Sequence, residues 1–407
     1  MKVVGIITEY NPFHHGHHYQ IQAARQATQA DIIVVLMSGN VVQRGEFAIL
    51  DKWQRAQLAM HYGADLVLEL PLLASLQSAD YFAKTGVELL AAVGCDTLVF
   101  GTETATQADL DVYVTWLGKN DAALQKQLQN YLPQGFSYAA AMQLAIDDLR
   151  SNDEGDTLKE LSFNPTSPNH LLGIQYVKAN QSLEKAMEIV TIPRLTSEDE
   201  LTSTIEFDSQ QVNIKSGSQI RQLWWQNQLS EENVPLATYE ALNSQASVQW
   251  ADYWPLLKYR LTCHRPESLR LIFGVKEGFE HLLLQKIDQA TDFTAFRQSL
   301  ISKRWTQSSV QRVLLAVLLD IHTEEWEAYR HSIEEHPLVR VLAYRTSGRN
   351  LLKLLKQNPA LEMFSNYTQK HQKRYEMVLR ADRVFALNPR VELVEQNYST
   401  YPIQGDY

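Results

Sequence analysis

The sequence predicts an α/β protein, with a doubly wound parallel sheet followed by a mainly α-helical carboxyl-terminal part. Three observations carry this expectation. Short apolar runs alternate with helical stretches through the first half of the chain. The turns that follow these runs are polar or contain glycine, and they fall at the strand ends where such sheets bind ligands. Beyond about Leu223 the apolar spacing is helical almost throughout, with no strand alternation.

The first strand is Lys2 to Thr8, whose run Val3-Val4-Gly5-Ile6-Ile7 suits burial on both faces. A polar turn holding Asn11-Pro12 ends it, because proline disfavours helix at the residue before it. From Gly16 to about Thr28 the apolar positions Tyr19, Ile21, Ala23, Ala24 and Ala27 have helical spacing. Strands follow at Asp31–Met37, Asp65–Leu70 and Asp96–Phe100, separated by helices over Asp51–Tyr62 and Tyr81–Val93. Helical segments then cover Ala105–Lys119, Ala122–Tyr131 and Ser137–Leu149, and Ser151 to Asp156 reads as an exposed loop. Asn169 precedes a further helix as a possible N-cap, Met187–Ile192 is a fifth strand ending at Pro193-Arg194, and Ser216 to Arg221 opens another helix. These patterns divide the chain into residues 1–222, an α/β domain, and residues 223–407, a helical domain.

Composition narrows the class. The 407 residues are 45% hydrophobic and 21% charged, as in a soluble protein with a sizeable core. Cys95 and Cys263 are the only cysteines and form no C-x-x-C pair, which fits a reducing, cytoplasmic setting. Met1-Lys2-Val3 leads straight into a strand without a signal peptide, and no apolar run is long enough to span a bilayer. The net charge of −10 argues against nucleic acid, yet Ile301 to Arg383 holds 14 Lys/Arg against nine Asp/Glu, a local 14 − 9 = +5. A basic face in the last third therefore stays possible, as does an ordinary solvated helical surface.

The chemistry concentrates at the first turn. A strand leading directly into a helix points free backbone N–H groups at the turn, which suits a phosphate. Four histidines, His14, His15, His17 and His18, stand at that mouth, and imidazole can follow a phosphate through a change of charge. Gly16 allows backbone to approach a ligand closely. A metal site is the competing reading, with His14 and His18 one helical turn apart. No nearby cysteine or carboxylate completes a ligand set, however, and Glu9 precedes the turn instead of lying between two ligands. A second phosphate grip is expected at Ser216-Gly217-Ser218-Gln219-Ile220-Arg221, where hydroxyls, free N–H groups and one arginine meet at a helix start.

His14-x-Gly16-His17 after a strand and an Asn-Pro turn resembles the H-x-G-H signature of the nucleotidylyltransferase superfamily, whose outer histidines contact nucleotide phosphates. The expected fold is then the Rossmann-like sheet of that type. A wider set of segments resembles one family within it, the tRNA(Met) cytidine acetate ligases: GIITEYNPFHHGHHYQI, MSGNVVQRGEFAILDKWQRAQLAMHYGADLVLELP, VFGTE, SPNHLLGIQYVKA, SGSQIR, PLLKYRL, EGFEHLL, SKRWTQSSVQRVLL and VLAYRTSGRNLL. The match is nearly full length. Gly217 departs from the usual hydroxyl residue, so Ser216, Ser218 and Arg221 alone are carried over.

The resemblance implies that acetate attacks the α-phosphate of ATP to give acetyl-adenylate, and that the acetyl group passes to the wobble cytidine of elongator tRNA(Met) as N4-acetylcytidine. Its ATP contacts map onto Ile7, Thr8, Glu9, Tyr10, Asn11, Pro12, Phe13, His14, His15, Gly16, His17, His18, Tyr19 and Gln20, with Gly101, Asn169 and Arg194. Catalytic roles are expected for His14, His17, Thr8 and Arg221. Gln43, Arg44 and Gly45 are candidates for holding acetate or cytidine. Magnesium is expected with ATP, although no ligand for it is identifiable. For RNA the helical half offers Lys258, Arg260, Lys303, Arg304, Trp305, Arg312, Arg345 and Arg349; Lys303-Arg304-Trp305 combines charge with an aromatic platform, while Trp305 also reads as core. No membrane association and no obligate protein partner is expected. Two alternatives stay open: a nucleotidylyltransferase for a small phosphorylated metabolite, and a non-catalytic RNA-binding protein that senses ATP.

Overall fold

The structure, a computed structural model, describes the chain except residues 152–162, 195–203, 208–209, 245, 359–360, 389, 392–394 and 407. Five parallel strands form its centre: β1 (Val3–Thr8), β2 (Ile32–Ser38), β3 (Leu66–Leu70), β4 (Thr97–Thr102) and β5 (Glu188–Pro193). The loop expected at Ser151–Asp156 lies outside the described residues apart from Ser151, which ends the helix Tyr138–Ser151. Among the described residues no helix is long and apolar enough to cross a membrane.

The strands bury side chains alternately into two layers, as a period of two requires. Val3, Ile7, Val34, Leu36, Leu66 and Leu68 face one core, while Val4, Ile6, Ile33, Val35 and Val67 face the other. Helices α1 (His15–Thr28) and α2 (Lys52–His61) cover the second layer, and α3 (Ala79–Ala92) and α4 (Pro168–Gln181) the first. Asp51 caps α2, its carboxylate accepting from the Gln54 N–H at 2.8 Å. The strand order reverses beside β1, which pairs with β2 on one side and β4 on the other. The crevice above that point is where a ligand belongs.

The expectation of no strand beyond Leu223 fails in one place. Leu338–Tyr344 forms β6, antiparallel to β3, with β7 (Glu362–Phe364) and β8 (Ile403–Gln404) pairing onto it. The helical part packs around Trp250, Tyr253, Phe296, Leu314 and Trp326 in a core that takes in Val41, Phe47, Leu72 and Leu73 of the first half, and it also completes the sheet. The physical reason is an ionic junction. Arg340 on β6 is in register with Glu69 on β3. Fully buried Lys52 reaches Glu69 at 2.9 Å and, from the helix α5 (Gln369–Phe385), Asp382 at 2.7 Å. Asn40 donates to Asp382 and to the Gln396 side chain, both at 2.8 Å, and accepts the Lys52 N–H at 2.8 Å. Arg340 lies between the rings of Trp53 and Tyr367, each 4.8 Å away.

Removing one member of a buried ion set leaves its partners charged and dry. Lys52→Met should therefore lower unfolding free energy in urea by about 3–5 kcal/mol. Adding Glu69→Gln and Asp382→Asn should recover part of that loss, which equal stabilities of the single and triple variants would contradict.

Candidate active site

The site opens at the carboxyl end of β1. After β1 the chain turns at Tyr10, whose φ of 47° is left-handed, and enters α1 through His14, which caps it with extended backbone. Tyr10 is fully buried and its ring meets Phe13 at 4.8 Å and His17 at 4.6 Å, both edge-on. The His14 and His17 rings stack at 3.6 Å with 15° between their planes. The His14 backbone N–H donates to His17 Nδ1 at 3.3 Å. Since Nδ1 accepts, that hydrogen bond assigns the proton of neutral His17 to Nε2, which is left as a donor.

Burial, reinforced by the nearby Arg194 guanidinium and by His15, pushes His14 down to about 3. Burial and the adjoining His14 hold His17 well below the usual histidine range. Both rings are therefore neutral in the free protein at neutral pH. His14 Nδ1 is buried without a hydrogen-bond partner, an arrangement that costs free energy in the free protein. His15 turns toward the 232–234 backbone, burial lowering it to about 4. His18 packs on the Tyr62 ring at 4.5 Å. The four histidines thus divide: two share the mouth and two line its flanks.

Gly16 also has a cause within the protein itself. A Cβ there would press within 3.1 Å of the His14 ring, so the glycine makes room for the histidine. At Gly217 a Cβ would lie 2.8 Å from the Asn11 carbonyl. This close approach explains why glycine stands where the family has a hydroxyl, and it brings the second grip onto the first. Ser216 caps the helix Gly217–Trp225 and its hydroxyl lies 3.1 Å from that of Ser218. Arg221 donates to the Asn11 carbonyl at 2.6 Å and to Glu46 Oε1 at 3.0 Å. Asn11 Oδ1 accepts the Ile49 N–H at 2.8 Å, tying the turn to the loop after β2.

The opposite wall comes from β4 and β5. Arg194 donates to Asn169 Oδ1 at 2.6 Å, and Asn169 donates to Glu103. Ser167, the N-cap of α4, donates to the other Glu103 oxygen at 3.2 Å. A Cβ on Gly101 would meet nothing nearer than 3.8 Å, so the protein's own atoms do not demand glycine there. Thr8 and Ile7 are buried at the end of β1. Tyr19 and Gln20 lie further along α1, with Tyr19 packed against the core. Glu9 Oε1 accepts the Gln43 N–H at 2.6 Å, and burial raises its carboxyl above the ordinary range.

Sequence reasoning missed Glu46 and Glu103, which hold Arg221 and Asn169, although both sit inside segments that carry the resemblance. Arg312, grouped with the RNA candidates, lies against the post-β2 loop, where its guanidinium donates to the Gln43 carbonyl at 3.4 Å. Gly45, at φ 76°, would clash through a Cβ with the Arg312 backbone nitrogen at 2.3 Å. The other basic candidates do not share one face of contacts. Lys258 donates to the Ala290 carbonyl at 3.1 Å, Arg260 pairs with Asp320, and Arg345 donates to the Met60 carbonyl at 2.7 Å. Lys303 is exposed, Arg304 lies over Trp305, and Arg349 is exposed. The Trp305 ring is buried and packs on Phe279 at 4.3 Å, so in the free protein it is a core side chain. Among the described residues no group of three or more His, Cys, Asp or Glu could hold a metal ion.

A switch-point crevice, a strand–turn–helix mouth with paired neutral histidines and a closing Ser/Arg helix start together define an H-x-G-H nucleotidyl transferase. The family model described as HIGH Nucleotidyl Transferase matches residues 1–399. The tRNA(Met) cytidine acetate ligase of Latilactobacillus sakei is 35% identical over 99% of this chain and 97% of its own length. That of Listeria monocytogenes serovar 1/2a is 32% identical over 96% of each. The crystal structure of Thermotoga maritima TmcAL bound with alpha-thio ATP superposes with a TM-score of 0.85 at 26% identity, covering 99% of both chains. The chain belongs to the tRNA(Met) cytidine acetate ligases, within the HIGH nucleotidyl transferase family.

Neutral buried histidines make the free protein acid-sensitive. His14 has its pKa lowered from about 6.5 when unfolded to about 3 when folded, so the unfolded state binds the extra proton. The stability held above pH 6.5 should fall as pH drops toward 3, by about 2 kcal/mol at pH 5 from this one group. Melting between pH 7.5 and 5 should show this loss, and His14→Gln should show less of it. An identical pH response in that variant would contradict the assignment.

Proposed function

We propose that this protein uses ATP to activate acetate as acetyl-adenylate and transfers the acetyl group to the wobble cytidine of elongator tRNA(Met). The observation that carries the reading is the stacked His14–His17 pair at the sheet's switch point, with His14 Nδ1 buried and unpartnered.

In the first step an acetate oxygen attacks the α-phosphorus. The new O–P bond makes the mixed anhydride, the α–β bridging bond breaks, and pyrophosphate leaves with the electron pair. Attack of one anion on another needs positioning and charge neutralisation more than covalent help. His17 Nε2–H and the free N–H groups at the start of α1 donate toward the α-phosphate, and His14 takes the neighbouring oxygen. Arg221, Ser216 and Ser218 approach the leaving phosphates, and Arg194 supplies further fixed charge. Gly101 leaves room for the nucleoside at the end of β4, and Asn169, held between Glu103 and Arg194, addresses its edge. Magnesium would arrive with the triphosphate, held by phosphate oxygens and water.

In the second step the cytidine N4 attacks the acetyl carbonyl carbon. The C–N bond forms, the bond from that carbon to the phosphate oxygen breaks, AMP departs, and N4 gives up one proton. The Gln43–Gly45 loop, tied to Glu9 on one side and Arg312 on the other, is the surface over which acetate and cytidine enter. The RNA lies across the basic side chains of the helical half, Lys303, Arg304 and Arg349 among them. The setting is the cytoplasm, where ATP and tRNA meet and where the unpaired Cys95 and Cys263 stay reduced.

Labelled acetate, ATP and a tRNA(Met) transcript should yield acid-stable acetylcytidine, and acetate should drive pyrophosphate exchange without RNA. His17→Ala should abolish both while tRNA binding persists, and undiminished tRNA acetylation by that variant would remove catalysis from this turn. ATP binding should also take up protons, because the phosphates favour imidazolium at His14. Calorimetry in buffers of different ionisation enthalpy reads this uptake, which should grow as pH falls from 7 toward 5.

A further inference from the structure

The second step leaves one proton without a destination, since cytidine N4 carries two hydrogens and the amide product keeps one. A base that takes it must stand at the mouth with an acceptor atom to spare. The imidazoles do not suit. Burial holds His14 and His17 below the usual histidine range, which makes them weak bases, and phosphate occupies both in the proposed first step. Two carboxylates are engaged as well. Glu46 accepts from Arg221 at 3.0 Å and from Asn11 Nδ2 at 3.5 Å. Glu103 accepts from Asn169 and Ser167, with the His170 ring at 3.3 Å.

Glu9 is different. It follows Thr8 at the carboxyl end of β1 and is half-buried. Its Oε1 accepts the Gln43 N–H at 2.6 Å, and among the described residues no donor reaches Oε2. The loop that holds Oε1 is itself pinned. Gln43 Nε2 donates to the Gln77 carbonyl at 2.8 Å, Arg312 to the Gln43 carbonyl at 3.4 Å, and Trp250 Nε1 to the Gly45 carbonyl at 3.1 Å. Arg55 holds the Glu9 backbone carbonyl at 2.6 Å. The residue is thus fixed through its main chain and one oxygen, and the other oxygen is left over.

Its surroundings suit a base. Burial raises the carboxyl above the ordinary range and Glu46 adds to this, against the Gln43 N–H, Arg44 and Arg221. Arg55 lies within electrostatic reach from α2, and so does Tyr176 from α4, whose buried hydroxyl is pushed up by burial and then by Glu9. A carboxyl shifted toward neutrality is the stronger base once ionised.

We propose that Glu9 is the general base of acetyl transfer, with Oε2 taking the N4 proton while Oε1 stays on the Gln43 N–H. The C–N bond forms, the bond from the acetyl carbon to the phosphate oxygen breaks, and AMP leaves with that electron pair. The proton then passes from Glu9 to water. The inference rests on the two-step reading above and assigns the proton that its second step releases.

Glu9→Gln keeps a side-chain carbonyl for the Gln43 N–H but is no base. The protein should be given preformed acetyl-adenylate and a tRNA(Met) transcript, and transfer followed in a single turnover from about pH 5 to 9. The wild-type rate should climb about tenfold per pH unit and level off as Glu9 ionises. Glu9→Gln should lower the plateau about 10²–10⁴-fold and abolish the bend. Acetate-dependent pyrophosphate exchange, which moves no N4 proton, should fall far less. Arg44→Gln removes a cation that favours the carboxylate, so the bend should move to higher pH. A wild-type transfer rate in Glu9→Gln, equal losses of transfer and exchange, or an unmoved bend in Arg44→Gln would each overturn the assignment. So would wild-type transfer without a bend. A wild type that makes no acetylcytidine from acetyl-adenylate at any pH would instead count against the two-step reading itself.

Discussion

The site depends on one buried guanidinium. Arg55 on α2 is wholly inaccessible, and its nitrogens donate to the carbonyls of Glu9 at 2.6 Å, Ser38 at 3.0 Å, Leu50 at 3.0 Å and Gly39. These oxygens belong to the ends of β1 and β2 and to the loop leading into α2. Without the arginine they would be unsatisfied where the sheet runs out. Burial lowers the Arg55 pKa to about 10, still above neutrality, with Asp51 and Glu9 opposing the shift. A charge kept dry in this way holds its acceptors firmly, because bonds to charged groups are worth about 1.5–3 kcal/mol each. The turn carrying Tyr10 to His14 is therefore built on a fixed floor. The Lys52 junction, three residues earlier on the same helix, fastens that floor to the helical half.

Much of this was legible because it is local. A strand, a proline-bearing turn and an amphipathic helix are written in consecutive residues, and so was the place where the histidines gather. The parallel sheet covered by helices on both faces followed from strand–helix alternation. What was not legible involves partners far apart in the chain. Lys52 looks like an exposed helix residue until Asp382, 330 positions away, is placed beside it. Arg340 disguised β6 in the same way. Leu338-Val339-Arg340-Val341-Leu342 is an apolar run with a charge in its centre, and only partners far along the chain, the Ser365, Gln396 and Asn397 oxygens at 2.7–3.1 Å with Glu69 at 4.0 Å, make that charge acceptable in a sheet. The run itself was the available signal.

The site shows the same division. His14 and His17 were found by spacing, but spacing cannot say which ring nitrogen is free or that His15 and His18 face elsewhere. Arg221 and Asn169 were carried over from a family pattern, whereas their holders, Glu46 and Glu103, are visible only in three dimensions. The local excess of basic residues was also misleading about surface, since Arg340 is interior and Arg330 and Arg380 are paired with glutamates.

The free protein thus keeps two neutral imidazoles stacked in a dry mouth, with cations nearby and one buried nitrogen unfilled. Such an arrangement is costly alone and favourable with a polyphosphate present. The most direct test is a crystal structure with a non-hydrolysable ATP analogue. The α-phosphate oxygens should lie within hydrogen-bonding distance of His17 Nε2 and His14, with the nucleoside against Gly101 and Asn169. A nucleotide bound elsewhere, with the His14–His17 stack unchanged and His14 Nδ1 still unpartnered, would contradict it.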